Sequence, residues 1–86
     1  MKVEYHSKAE KFLVKQGSKV ATRIISAINK LPVGDIRKME GYKDRYRLRI
    51  GGYRAIFSNC FIIDEKAKER IRLIKVWDID NRGDIY

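Results

Sequence analysis

The sequence is poor in the residues that small proteins use for metal, redox and acid–base chemistry. A single cysteine, Cys60, cannot form an internal disulfide, and with a single histidine, His6, it cannot supply a four-ligand structural metal site. No metal and no cofactor is expected. His6 directly precedes a helix start and reads as a surface or packing residue, while Cys60, between Asn59 and Phe61 in a strand, reads as a small core residue. No apolar run approaches the roughly 20 residues that a membrane-spanning helix needs. Met1-Lys2-Val3-Glu4 also opens without the apolar centre of a secretory signal, so the expectation is a cytoplasmic protein with no membrane partner. Neither Gly51-Gly52 nor Gly83 belongs to a phosphate-binding loop motif. Linkers, repeats and low-complexity tracts are missing too, so the 86 residues are read as one domain, 1–86, with one modest core. The last scarcity is local: no acidic residue occurs between Asp44 and Asp64.

Basic residues, in contrast, are plentiful. Twenty Lys and Arg against eleven Asp and Glu give a formal charge of +9, which attracts polyanions and makes nucleic acid or an acidic protein the expected partner. The excess is uneven. Residues 1–34 carry seven Lys/Arg and two Glu, residues 35–63 carry seven and three acids, and residues 64–86 carry six of each. A charge run is most often a solvated face. What the acid-free stretch presents depends on the elements that carry it.

Lys2 to Tyr5 alternates polar and apolar as a short strand. Ser7-Lys8-Ala9-Glu10 has capping-box spacing, which predicts a helix with Ser7 as N-cap and Ala9, Phe12 and Leu13 as its apolar stripe. Gly17-Ser18 reads as a stop followed by a new N-cap. From there Val20, Ala21, Ile24, Ala27, Ile28 and Leu31 recur at helical spacing until Pro32 and Gly34 end the pattern. Residues 36–39 make a weak strand, and Tyr46, Leu48 and Ile50 alternate with Arg45, Arg47 and Arg49 as a clear one. Gly51-Gly52 suits a tight hairpin turn, residues 53–63 return, residues 64–68 turn again, and residues 70–79 form a last long strand. The fold class expected is α+β, an N-terminal strand and two-helix hairpin packed on an antiparallel β-meander.

In this arrangement the segment RYRLRIGGYRAIF, residues 45–57, has an apolar and a cationic face. Arg54, just past the turn, is expected beside Arg49 or Arg47 across the ladder, a like-charge contact that is unfavourable unless an anion lies between. A phosphodiester fits, because guanidinium forks match its oxygens. Removing Arg47, Arg49 or Arg54 is then expected to leave thermal stability unchanged or higher, since unpaired cations repel in the free protein.

YRLRIGGYRAIF, followed by a strand and a terminal RGDIY, resembles the RelE/ParE superfamily of toxins from type II toxin–antitoxin systems, in element order as well as in motif. The RelE-like branch consists of endoribonucleases that cut messenger RNA in the ribosomal A site, and ParE-like members inhibit DNA gyrase. The resemblance to the RelE-like branch implies a fold of that type, an mRNA interferase activity that arrests translation, and mRNA, the ribosome and a cognate antitoxin protein as partners. It implies catalytic roles for Arg47, Arg49, Arg54 and Tyr86, with Lys43, Arg45 and Arg82 as RNA-binding residues. Where that family often has a further basic residue near its C-terminus this chain has Asp80, and Arg82 is the nearest cation.

Chemistry agrees with these roles. RNA cleavage by its own 2′-OH needs that hydroxyl oriented or deprotonated, the charge of the phosphorane stabilised, and the 5′-oxygen protonated. Arginine stays protonated and so serves the second task; Tyr86 is the candidate for proton transfer or stacking. Two alternatives remain open: a gyrase inhibitor on the same scaffold, or a non-catalytic nucleic-acid-binding homologue with Tyr42, Tyr46 and Tyr53 as stacking residues, although Tyr46 is expected to face the core.

Overall fold

A computed structural model of the chain describes residues 1–81, in the order β1 (Lys2–Tyr5), α1 (Ser7–Gln16), α2 (Ser18–Asn29), β2 (Asp35–Lys38), β3 (Tyr46–Ile50), β4 (Tyr53–Asp64) and β5 (Glu69–Asn81). The strands form one sheet in the order β1-β5-β4-β3-β2. Strands β2 to β5 are the expected antiparallel meander. β1 lies at the far edge parallel to β5, with Val3 beside Ile74 and Tyr5 beside Val76, so the sheet is mixed. Parallel neighbours cannot be joined by a tight turn, and here all the other elements intervene between them.

Both helix starts lie one residue earlier than expected, and the backbone shows why. His6 N–H donates to Val76 O at 2.8 Å, extending the β1–β5 ladder, so His6 keeps an extended conformation and becomes the N-cap. Its Nδ1 accepts from Lys8 N–H at 3.3 Å, and Ser7 is already helical. Gly17, with φ of 83°, ends α1 and caps α2: its carbonyl accepts from Ala21 N–H at 3.0 Å, the first bond of the second helix, which leaves Ser18 inside it.

The two helices cover one face of the sheet. Ala9 and Leu13 of α1 and Ile24, Ile28 and the following Leu31 of α2 pack on Leu48, Ile50, Ala55, Phe57, Ile74, Val76 and Ile79. These are the helical stripes and the strand alternation anticipated above. β4 and β5 run beyond the helices, and the pairing continues to Asp64 opposite Glu69, longer than the apolar pattern indicates. Cys60 lies in this distal part, paired with Leu73 on the face away from the helices, and is exposed rather than core.

One irregularity positions the site. Ile56 pairs with Asp78 and Phe57 with Val76, so Trp77 is an additional residue on β5. After such a bulge the strand's inside–outside alternation is reversed. Val76 and Ile79 therefore both reach the core, and Asp78 and Asp80 share the opposite face with Ile56 and Arg54.

Candidate nucleic-acid interface

Because Leu48 and Ile50 are held against the helices, Arg47 and Arg49 project to the other face, which no helix covers among the described residues. The β3–β4 turn runs through Gly51 at φ of 57°, with the guanidinium of Arg23 packed against it, and brings Arg54 directly opposite Arg49. Of the two cross-strand neighbours expected for Arg54, Arg49 or Arg47, the register selects Arg49. The row does not stop there: it reads Asp35, Arg49, Arg54, Asp80, one residue each from β2, β3, β4 and β5.

That row overturns the expectation that the arginines lack a protein counter-ion. Arg54 Nη2 donates to Asp80 Oδ2 at 2.9 Å, with about a quarter of each side chain exposed. The Asp35 carboxylate lies 4.0 Å from Arg49 Nε and 3.5 Å from Arg47 Nη2. The acids are distant in sequence and become neighbours only through strand pairing. Arg47 is the most covered of the three, and its Nε and Nη2 are buried with no hydrogen-bond acceptor among the described residues.

Arg45 belongs to a neighbouring cluster. Its Nη1 donates to Asp44 Oδ1 at 3.0 Å, and its guanidinium lies 4.1 Å from the centre of the Trp77 ring. Lys75 Nζ is 4.3 Å from the same ring, and Trp77 Nε1 donates to Ser58 Oγ at 3.0 Å. A tryptophan flanked by two cations fixes them on the same face as the arginine row. Lys43 is an exposed loop residue between β2 and β3. Arg82 and Tyr86 lie outside the described residues. Of the three tyrosines considered for stacking, Tyr46 stacks on Phe57 at 5.6 Å and Tyr53 meets Phe12 edge-on at 6.1 Å, both on the helix side; Tyr42 is exposed.

Trp77, Asp35 and the pairing role of Asp80 were not legible as site features. Only the bulge and the register bring them in. An apolar hollow of about 150 Å³, lined by Leu31, Pro32, Ile36, Tyr46, Phe57 and Ile74 among others, sits on the helix side and plays no part in the arginine row. Between α1 and the end of β5 an open cleft carries Lys8, Lys11, Lys15, Asp78 and Asp80, with Lys8 Nζ 3.5 Å from Asp78 Oδ2. Among the described residues no group of three or more His, Cys, Asp and Glu side chains could hold a metal ion, and no helix is long and apolar enough to cross a membrane.

No protein-family model matches the chain, and no curated protein matches it. Among solved structures it is similar to a chain of the RelB–RelE antitoxin–toxin complex from Methanococcus jannaschii, with a TM-score of 0.63 and 22% identity, over 96% of this chain and 94% of that one. At that identity the likeness is one of architecture: the chain has the RelE-like α+β fold.

Proposed function

We propose that the chain is the toxin of a type II toxin–antitoxin pair and acts as a ribosome-dependent endoribonuclease that cleaves messenger RNA in the A site. The observation that carries this reading is the trio Arg47, Arg49 and Arg54 gathered on the sheet face that no helix covers among the described residues. In the reaction the 2′-oxygen forms a bond to phosphorus, the bond to the 5′-oxygen breaks, the 2′-OH loses its proton and the 5′-oxygen gains one. The three guanidinium groups stabilise the charge on the phosphorane oxygens. Tyr86 transfers a proton or stacks on a base, and Lys43, Arg45 and Arg82 hold the RNA backbone. The ribosome supplies positioning that a chain so poor in acid–base groups cannot supply alone. A cognate antitoxin protein covers the basic surface in the resting complex.

The Arg54–Asp80 pair favours a second reading, in which the same fold works without cleaving RNA, as a gyrase inhibitor or a binding protein. Incubating the purified protein with messenger RNA, with and without translating ribosomes, separates the two. Cleavage should require ribosomes. Arg54→Ala should slow it on the order of 10²–10³-fold, and Tyr86→Phe on the order of 10²–10⁴-fold if the hydroxyl moves a proton. Intact message on ribosomes saturated with protein would refute the nuclease reading, and loss of gyrase supercoiling in a parallel assay would support the second.

A further inference from the structure

We propose that Asp35 and Asp80 are built-in counter-ions of the arginine row, and that binding of an RNA phosphodiester proceeds by exchange, the phosphate taking the arginine donors that the carboxylates hold in the free protein. The inference rests on the reading of this face as a phosphate-binding surface. It adds that the acids at the two ends of the row set how tightly phosphate is held.

Four features support it. The row is in strand register, so the two acids stand at the ends of the row and the two arginines are adjacent at its centre. At the β5 end, contact is direct, with Asp80 Oδ2 at 2.9 Å from Arg54 Nη2. At the β2 end it is looser, with one carboxylate shared between Arg47 at 3.5 Å and Arg49 at 4.0 Å. Finally, the side chains of Arg47 and Arg54 are only 13% and 23% exposed, so a phosphate cannot simply add to a free cation in solvent. It must reach the side of a guanidinium that a carboxylate already occupies or adjoins. Since the forked guanidinium presents the same geometry to carboxylate and to phosphate, the two anions compete for one set of donors.

Such competition has a signature that net charge does not. Removing the Asp80 charge should raise phosphate affinity through Arg54, and the gain should vanish when Arg54 is absent. The residue acts through another side chain, so it is a positioning residue and not a catalytic one.

The test measures binding of a short, fluorescently labelled oligouridylate to the full chain over a range of salt concentrations. Asp80→Asn keeps the side-chain volume and should bind about three- to tenfold tighter, the range expected for a partly exposed ion pair. If one more phosphate is engaged, the slope of log affinity against log salt should steepen by about 0.7. Glu65→Gln, in the β4–β5 turn, removes the same charge away from the row and should change affinity by less than about twofold. In an Arg54→Ala background the gain from Asp80→Asn should fall to that of Glu65→Gln. Equal effects of Asp80→Asn and Glu65→Gln, a gain that survives in Arg54→Ala, or no measurable binding by any form at low salt would each overturn the exchange. Should Asp80→Asn fail to fold, Asp35→Asn tests the other end of the row, with the same gain expected through Arg47 and Arg49 and its absence counting equally against the idea. If the gain appears and ribosomal cleavage does not, exchange stands and the nuclease reading falls.

Discussion

Arg54→Ala should destabilise the protein, the opposite of what the acid-free stretch of sequence suggests. The Arg54–Asp80 pair is hydrogen-bonded at 2.9 Å, and its side chains are 23% and 27% exposed. Fully exposed pairs contribute about 0.2–1 kcal/mol, whereas breaking a buried pair costs about 3–5 kcal/mol because the remaining charge is left desolvated. The intermediate exposure, discounted for solvent screening, places the loss between these at about 1.5–2.5 kcal/mol. Relief of the like-charge contact with Arg49 offsets a few tenths of that. A net loss of about 1–2 kcal/mol remains. For a chain of this size that lowers Tm by roughly 5–15 °C. Urea unfolding followed by the fluorescence of Trp77, the single tryptophan, measures it directly. The denaturant slope should be unchanged, and the loss should shrink in high salt. Adding Asp80→Ala to Arg54→Ala should recover part of the loss, because the stranded carboxylate goes with its partner. An Arg54→Ala protein as stable as its parent, or more stable, would show that Asp80 does not anchor Arg54 and that the cations repel as unpaired charges.

Leu48→Ala removes a side chain that is 2% exposed at the centre of β3, and should cost about 2–5 kcal/mol in urea unfolding; a loss below about 1 kcal/mol would mean that β3 is not held against the helices as described. Tyr5 is half-buried, its hydroxyl has no hydrogen-bond partner among the described residues, and burial raises its pKa above the ordinary 10.0. A folded-state pKa above the unfolded one means that this contribution is complete below about pH 10 and is lost as pH rises through the raised value. Tyr5→Phe should therefore be as stable as the parent at neutral pH, or up to about 1 kcal/mol more stable. It should also lose less stability than the parent as pH rises above about 10, and superimposable alkaline unfolding curves would contradict the burial.

The elements of the fold were legible because local signals and packing agree. Ala9, Leu13, Ile24 and Ile28 recur at helical spacing and are buried; Leu48 and Ile50 alternate with arginines and are buried as well. Helix caps were legible only to within one residue, since the choice of His6 over Ser7 depends on a ladder bond from His6 to Val76, 70 positions along the chain. The position of Cys60 was misread for a related reason. Strand pairing sets it opposite Leu73 on the face away from the helices, which no helix covers among the described residues. At the site, the sequence leaves Arg54 beside Arg49 or Arg47, and the register of the two-residue turn selects Arg49. Their acids were invisible, because Asp35 and Asp80 lie on flanking strands that enter the row only through pairing.

The extra residue at Trp77 ties core and site together. Along β5, Ile74 and Val76 face the helices; continued regular alternation would send Asp78 and Asp80 to the same side, into the apolar layer, and turn Ile79 outward. Burying two unpaired carboxylates in that apolar layer would be costly. With the bulge, Ile79 is 2% exposed in the core, Asp80 meets Arg54 on the outer face, and Asp78 lies within reach of Lys8. Trp77 then covers Ser58 and holds Arg45 and Lys75 beside the row. The apolar pattern of β5 and the charge pattern of its outer face therefore demand the same irregularity. Bulges re-aim side chains in this way at functional edges of sheets. Here the re-aimed side chain is an acid, which gives the row Asp35, Arg49, Arg54, Asp80 as many acids as arginines although the whole chain carries +9. An anion that displaces the two carboxylates must therefore offer more than charge. It has to present oxygens in the planar geometry the guanidinium forks accept, and approach from the one side of the sheet that the helices leave open.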